Sequence, residues 1–134
     1  MNKKSTKILT EISPGELLDK ISILEIKLDK INDKKNLEEI NKEYKSLLEA
    51  KNSTIQSDDK LNILITKIKE INLKLWEIED KIRMCEKSKN FGSEFIQLAR
   101  DVYFNNDERA QIKSSINNLL GSNIKEIKQY VTYK

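Results

Sequence analysis

The chain has 134 residues, of which 25 are basic and 22 are acidic, and its formal net charge is +3. This length allows one hydrophobic core, and a chain with 35% charged residues, three glycines and one proline is typical of long helices. Because the opposite charges are mixed along the sequence, no basic surface that follows a nucleic-acid backbone is expected. These values predict a single all-α domain over residues 1–134 and argue against a nucleic-acid partner.

The scarcity of histidine and cysteine limits the possible chemistry. The sequence has no histidine, which removes the commonest general base and every zinc or di-iron site that needs imidazole. Cys85 is the only cysteine, so no internal disulfide can form, and its place in an apolar seam predicts a packed thiol. No apolar run suits a signal peptide or a membrane span. We therefore expect a cytoplasmic protein without membrane insertion.

The first helix is predicted to begin near residue 14. Ser13 is a natural N-cap, Pro14 suits the first helical position, and Glu16 completes a capping box. Apolar residues then recur at spacings of three and four and also occupy further faces, which indicates a central helix. Asn32 and Asp33 interrupt the pattern, and Asp33 is expected to cap a second helix after a kink or a short turn.

The third helix, from about residue 59 to residue 88, carries the clearest pattern. Ser57 or Asp58 can cap it. Its apolar seam alternates spacings of three and four through Leu61, Leu64, Ile68, Ile71, Leu75, Ile78, Ile82 and Cys85. The helix is roughly 45 Å long, so the first two helices together can lie back along it. We predict a long antiparallel, coiled-coil-like helical hairpin over residues 13–88, and a coiled coil between two chains is the alternative.

Two shorter helices are predicted after this hairpin. Gly92 breaks the pattern, and a fourth helix restarts at Ser93. Asn106 lies in a polar run that predicts a turn and the N-cap of a fifth helix, and Gly121 is placed to end that helix. Residues 93–121 are therefore predicted to form a two-helix unit.

The two ends of the chain have weaker patterns. In the first twelve residues Ile8, Thr10 and Ile12 alternate as in a strand, so residues 1–12 are expected to be extended. The C-terminal segment, residues 122–134, fits either a helical turn or a strand. A short two-stranded pairing of the two terminal segments agrees with the patterns of both.

Two Glu-x-x-Asp spacings suggest a metal site. Acids at this spacing on facing helices hold magnesium in all-α pyrophosphohydrolases, and here they are Glu16, Asp19, Glu77 and Asp80. At about 100° per residue, each pair points away from the apolar stripe of its helix. The pairs can therefore meet only if the C-terminal helices fold over that face. Such acids more commonly form a solvated face, so we expect no cofactor, and magnesium is the alternative.

Three arginines among 22 lysines mark the candidate ligand-binding residues. A planar guanidinium forms paired hydrogen bonds with carboxylate or phosphate that an ammonium cannot form. A junction between the last helices is expected to bring together Arg100, Tyr103 and Arg109. If it packs on the third helix, it also brings them to Trp76 and Arg83, with Glu79 and Asp80 as candidate acids or bases. The alternative is that the arginines form ion pairs with carboxylates of the protein itself.

Three blocks of the sequence resemble those of a known family. They are ISPGELLDKISILEIKLDKI, LWEIEDKIR and FIQLARDVYFNNDERAQIKSSINNLLGS, and together they contain 57 of the 134 residues. The family is an uncharacterised bacterial one, a domain of unknown function of about this length. The chain departs from it at NDKKN, where the family commonly has Asp-Pro, and at EIKQY. The resemblance implies a bacterial helical protein linked to surface-polysaccharide or glycosyl-transfer functions, with no established activity.

Two functions remain open from the sequence. The first is a non-catalytic structural or interaction module, either a homo-oligomer or the partner of another protein, which agrees with the unbroken apolar seam and the missing histidine. The second is a small enzyme or binder for an anionic small molecule, such as a phosphorylated metabolite or a nucleotide sugar. In this second case the arginines hold the anion.

Overall fold

Four helices make up the regular structure of the protein in a computed structural model that describes residues 5–133. They are α1 (Pro14–Lys30), α2 (Lys34–Thr54), α3 (Asp59–Lys87) and α4 (Ser93–Leu120). Residues 5–133 contain no strand. The predicted all-α class is confirmed.

The first three helices begin where the sequence predicts. Side-chain oxygens of Ser13, Asp33 and Asp58 each accept a hydrogen bond from an amide in the first turn of the helix that follows. At the other end of the chain, α4 ends at Gly121, whose φ of 66° lies in the left-handed region that glycine adopts most readily. The predicted caps therefore fix these four ends.

The region from residue 93 to residue 120 is one continuous helix, so the prediction of separate fourth and fifth helices is wrong. Asn105 is buried, and its side-chain amide donates to the carbonyl of Asp101 at 2.7 Å, one turn earlier. Asn106 accepts a hydrogen bond from Arg109 of the same helix at 3.4 Å. The polar run is therefore accommodated inside the helix, where its side chains bond along the helix and do not end it.

The helices form two hairpins that pack on each other. α2 folds back along α1, where the hydroxyl of Tyr44 donates to Glu25 Oε2 at 3.0 Å. α4 returns along α3 after a connection of residues 88–92, and the most extensive helix packing is between these two. The predicted hairpin, in which the first two helices lie along the third over residues 13–88, is not confirmed.

The apolar seam of α3 faces the interior of this arrangement. Its buried members are Leu61, Ile68, Ile71, Leu75, Ile78 and Cys85. All of them except Leu75 belong to two clusters with residues of α1 and α4, which include Leu17, Leu18, Ile21, Leu98, Ile112 and Ile116. Helices of the same chain therefore cover the seam, and Cys85 is a packed thiol, as predicted.

The segments outside the helices do not pair as strands. The predicted N-terminal segment is described from residue 5 and the predicted C-terminal segment to residue 133, and neither contains a strand. They meet at a hydrogen bond from Asn123 Nδ2 to Glu11 Oε2 at 3.1 Å. Within residues 5–133, the predicted strand pairing of the termini is therefore not confirmed.

The C-terminal segment turns back along α4. Lys113 Nζ donates to Glu126 Oε2 at 3.0 Å, and the hydroxyl of Tyr133 donates to Asp107 Oδ2 at 2.5 Å. Glu126 thus contacts Lys113, whereas Tyr133, which lies later in the segment, contacts Asp107, which lies earlier in α4. The segment thus lies antiparallel to the helix and is held to it by side chains.

Candidate functional site

Asp19 is the centre of a buried polar network between α1, α3 and α4. Its side chain is 1% exposed. Arg109 of α4 donates from Nε to Oδ1 at 2.9 Å and from Nη2 to Oδ2 at 2.5 Å, while Asn72 of α3 donates to Oδ1 at 2.8 Å. The hydrogen bonds to Asp19 raise the pKa of Arg109 against the opposing effect of its burial. Three helices therefore meet on one carboxylate whose charge is balanced by a paired guanidinium.

One further polar side chain, that of Ser22, closes this network. Asn72 Nδ2 also donates to Ser22 Oγ at 2.8 Å, and Ser22 Oγ donates to the backbone carbonyl of Asp19 at 2.7 Å. Among the described residues, no buried side-chain nitrogen or oxygen lacks a hydrogen-bond partner. The interior polar groups are thus satisfied by one another.

Lys113 forms a second group of charges one turn along α4. Its Nζ lies 2.8 Å from Glu16 Oε2, 3.0 Å from Glu126 Oε2 and 3.9 Å from Asp19 Oδ2. Burial disfavours the charged amine, but the hydrogen bonds to Glu16 and Glu126 and the negative charges of Asp19 and Glu16 together outweigh it, so the pKa of Lys113 is raised. The same bond from Lys113 lowers the pKa of Glu126. Lys113 therefore joins α1, α4 and the C-terminal segment.

Gly15 allows α1 and α4 to approach closely beside these charges. Its amide donates to Asn117 Oδ1 at 2.7 Å. A Cβ at this position would lie 2.6 Å from the carbonyl oxygen of Lys113 and 2.8 Å from Asn117 Oδ1. A side chain here would have to displace backbone, so the contact requires glycine.

A groove of about 510 Å³ brings several of the predicted site residues together. It lies between α1, α3 and the middle of α4, beside the Asp19 network. Its wall contains Trp76, Glu79, Asp80, Arg83 and Arg109, and its apolar part includes Ile23, Ile26 and Leu75. Five residues that the sequence singled out therefore line one groove.

The arginines of this groove already have carboxylate partners in the protein. Arg83 binds Glu79 one turn before it on α3, and 70% of the Arg83 side chain is exposed. Arg109 is held by the buried Asp19. Asp80 is exposed at the rim. This is the arrangement expected if the arginines form ion pairs within the protein, and it leaves an open groove in which Asp80 adds a negative charge.

The other two predicted ligand-binding residues do not line this groove. The guanidinium carbon of Arg100 lies 5.5 Å from the centroid of the Phe104 ring. Tyr103 packs on Phe104 and Tyr133, with ring centroids 4.7 and 5.7 Å away. Of the five residues expected to gather, Trp76, Arg83 and Arg109 thus line the groove, whereas Arg100 and Tyr103, which lie earlier on the continuous α4, do not.

The four carboxylates of the alternative magnesium site are not brought together. Glu16 and Asp19 face α4, as the sequence allowed, but there they bind Lys113 and Arg109. Glu77 is exposed and does not line the groove that contains Asp80. Within residues 5–133, no group of three or more histidine, cysteine or acidic residues is placed to hold a metal ion.

The sequence did not point to several residues of these polar contacts, which are the buried Asn72, Lys113 and Asn117 and the exposed Glu126. Asn72 gave a usable signal, because it lies four residues after Ile68 and next to Ile71 on the apolar side of α3. A polar residue in such a place needs a buried partner. Lys113 lies three residues before the buried Ile116, and Asn117 lies directly after it, so both gave a similar signal. Glu126 lies in a segment without a periodic pattern.

The fold and the network define a four-helix protein in which ion pairs between part-buried side chains join α1 to α4. None of the helices in the described part of the chain is long and apolar enough to cross a membrane. The chain belongs to the family of unknown function DUF6165, whose model matches residues 8–133. The resemblance to a domain of unknown function is thereby confirmed. Neither a curated protein nor a solved structure matches the chain.

Proposed function

We propose that the protein is a non-catalytic interaction module that binds another polypeptide through residues 5–12 and 123–133, here named the terminal edge. The observation that carries this proposal is a set of highly exposed apolar side chains. Between 76% and 90% of each of five large side chains is exposed on this edge: Ile8, Leu9, Ile127, Tyr130 and Val131. Soluble proteins rarely leave adjoining apolar groups in water unless a partner covers them.

The backbone of the terminal edge is also open to a partner. Within the described residues, no backbone amide from Thr6 to Ile12 donates an intramolecular hydrogen bond. No residue of this stretch has a positive φ, so it can take part in a β-ladder. Free amides and carbonyls with alternating side chains are the features that strand addition uses.

The satisfied interior supports a role without catalysis. Catalysis by side chains needs an acid, base or nucleophile that faces a substrate. Here Asp19, Arg109 and Lys113 bind one another or their neighbours, and Cys85 is packed among apolar residues. The polar residues thus hold the helices in place, while the apolar surface lies outside them.

Site-specific photo-crosslinking in cells tests this proposal. A photoreactive phenylalanine analogue replaces Leu9 or Val131 on the edge, and Glu43, which is exposed on α2, is the matched control position. We expect adducts with a polypeptide from the two edge positions and none from the control. If neither edge position yields an adduct, the proposal fails.

The groove favours a second candidate function, the binding of a phosphorylated metabolite or a nucleotide sugar. Trp76 offers an aromatic ring on which a ligand can stack. Arg83 can leave its weak, exposed ion pair with Glu79 and bind a ligand phosphate at little cost in free energy. The link to surface polysaccharides that the family resemblance implies agrees with this candidate as well as with the interaction module.

Melting temperatures with UDP-glucose and with glucose 1-phosphate, each with and without magnesium, test the second candidate. A ligand that binds the folded chain raises the melting temperature. The rise should disappear in Trp76→Ala and persist in Phe91→Ala, which removes an exposed aromatic residue outside the groove. If neither probe stabilises the wild-type protein, this candidate is removed.

A further inference from the structure

We infer that the partner of the terminal edge is a second copy of this chain, paired antiparallel through residues 6–12 about Leu9. This inference rests on the proposed function and names its partner. The two copies form a two-stranded ladder with a twofold axis at Leu9. The same segment then serves as both donor and acceptor strand, as a twofold interface requires.

The charges of the segment select this register. In an antiparallel pair centred on Leu9, residue i faces residue 18 − i of the copy, so Lys7 faces Glu11 twice and Leu9 faces Leu9. Opposite charges directly across a ladder stabilise it. A shift by two residues in either direction puts Leu9 against Lys7 or against Glu11 and removes both ion pairs.

Both charged groups are available for a partner. Lys7 and Glu11 are exposed, and Glu11 accepts one exposed hydrogen bond, through Oε2 from Asn123. The C-terminal segment offers a less favourable self-pairing. There, Lys128 would face Glu126 of the copy, and that carboxylate is already bound to Lys113. The N-terminal segment is therefore the better site for pairing between copies.

The dimer should be weak and reversible. A ladder of seven residues from each chain is smaller than a standard protein interface, and small interfaces belong to transient complexes. We expect a dissociation constant on the order of 100 µM, which equilibrium sedimentation can measure.

Charge reversal and charge exchange test the inference by sedimentation. In Lys7→Glu the new acid faces Glu11 of the other copy, and this repulsive pair occurs twice in the ladder. In Glu11→Lys the new amine faces Lys7 of the other copy, also twice. Each reversal should weaken dimerisation about tenfold or more, whereas the exchange variant Lys7→Glu/Glu11→Lys should restore it. An equimolar mixture of the two single variants should also dimerise. Circular dichroism should report unchanged helix content, because both positions lie outside the helices.

Two results would overturn the inference. The first is a wild-type protein that stays monomeric up to about 1 mM, ten times the expected dissociation constant. The second is an exchange variant that dimerises as weakly as the single reversals. The crosslinking result separates this failure from that of the proposed function. An adduct of position 9 with a different polypeptide overturns the inference that the partner is a second copy, but it agrees with the proposed interaction module. If no adduct forms, both are overturned.

Discussion

Arg109 on α4 holds Asp19 on α1 through both carboxylate oxygens, and this pair joins residues that lie 90 positions apart in the chain. The two bonds use Nε and Nη2 of the guanidinium, and Asn72 of α3 donates to the same carboxylate. Such a contact fixes the relative positions of three helices. It gives the arginine a structural role that lysine, with one point charge, cannot reproduce.

Loss of the charge on Asp19 should destabilise the fold strongly. Asp19→Asn keeps the shape of the side chain but leaves Arg109 without its anion, and breaking a buried pair costs about 3 kcal/mol. Urea unfolding should report this decrease in the free energy of unfolding. Asp80→Asn, at an exposed acid, is the matched control and should stay within about 0.5 kcal/mol of the wild type. Equal stability of the two variants would contradict the central role of Asp19.

Replacement of Arg109 by lysine should separate the structural role from ligand binding. Arg109→Lys loses the second hydrogen bond and should lower the free energy of unfolding by about 1–3 kcal/mol. Arg83→Lys changes an exposed pair and should cost less than about 1 kcal/mol. The opposite outcome for Arg109→Lys, full stability with loss of a ligand-induced rise in melting temperature, would identify it as an anion-binding residue.

Gly15 should not tolerate a methyl group. In Gly15→Ala the new Cβ meets the Lys113 carbonyl at 2.6 Å, so α1 and α4 must separate, and we expect a loss of about 2 kcal/mol. Gly92→Ala is the control, because its Cβ would meet the Asn90 side chain at 3.4 Å. Its cost, that of a poorer N-cap, should stay below about 1 kcal/mol. Thermal unfolding of the two variants measures the difference.

The bond between Lys113 and Glu126 should make stability depend on acid pH. The pKa of Glu126 is lowered from 4.5, so its charged form stabilises the folded chain above pH 4.5. This contribution is lost as the pH falls through the lower folded-state value. Glu126→Gln should therefore have a flatter dependence of melting temperature on pH below 4.5 than the wild type. Glu11→Gln is the exposed control, and superimposable wild-type and Glu126→Gln curves would disprove the coupling.

Local signals in the sequence were enough to predict much of the fold. Ser13, Asp33 and Asp58 cap helices because a cap depends on a hydrogen bond within one turn. The seam of α3 is buried because its spacing matches the helical repeat. The same reasoning placed Trp76 and Arg83 near each other, since they lie two turns apart on one helix. Features that depend on neighbouring residues were therefore accessible.

Features that depend on packing between helices could not be predicted in this way. Asn105 and Asn106 have the composition of a turn, yet α4 continues through them because Asn105 is buried and bonds to Asp101. Asp19 lies away from the main apolar stripe of α1, so its burial depends on α4 covering a second face. Its partner Arg109 comes from a helix whose position no local pattern specifies.

Hydrogen exchange at two protein concentrations tests most directly the claim that copies of the chain associate through the terminal edge. At about 10 µM, where a dimer of the expected strength is dissociated, the amides of residues 6–12 should exchange rapidly, because they make no intramolecular hydrogen bonds. At about 1 mM every second amide of this segment should become protected, because a two-stranded antiparallel ladder bonds alternate residues, while the amides around Trp76 and Arg109 should not change. Protection that increases only at the groove, or nowhere, would contradict the claim.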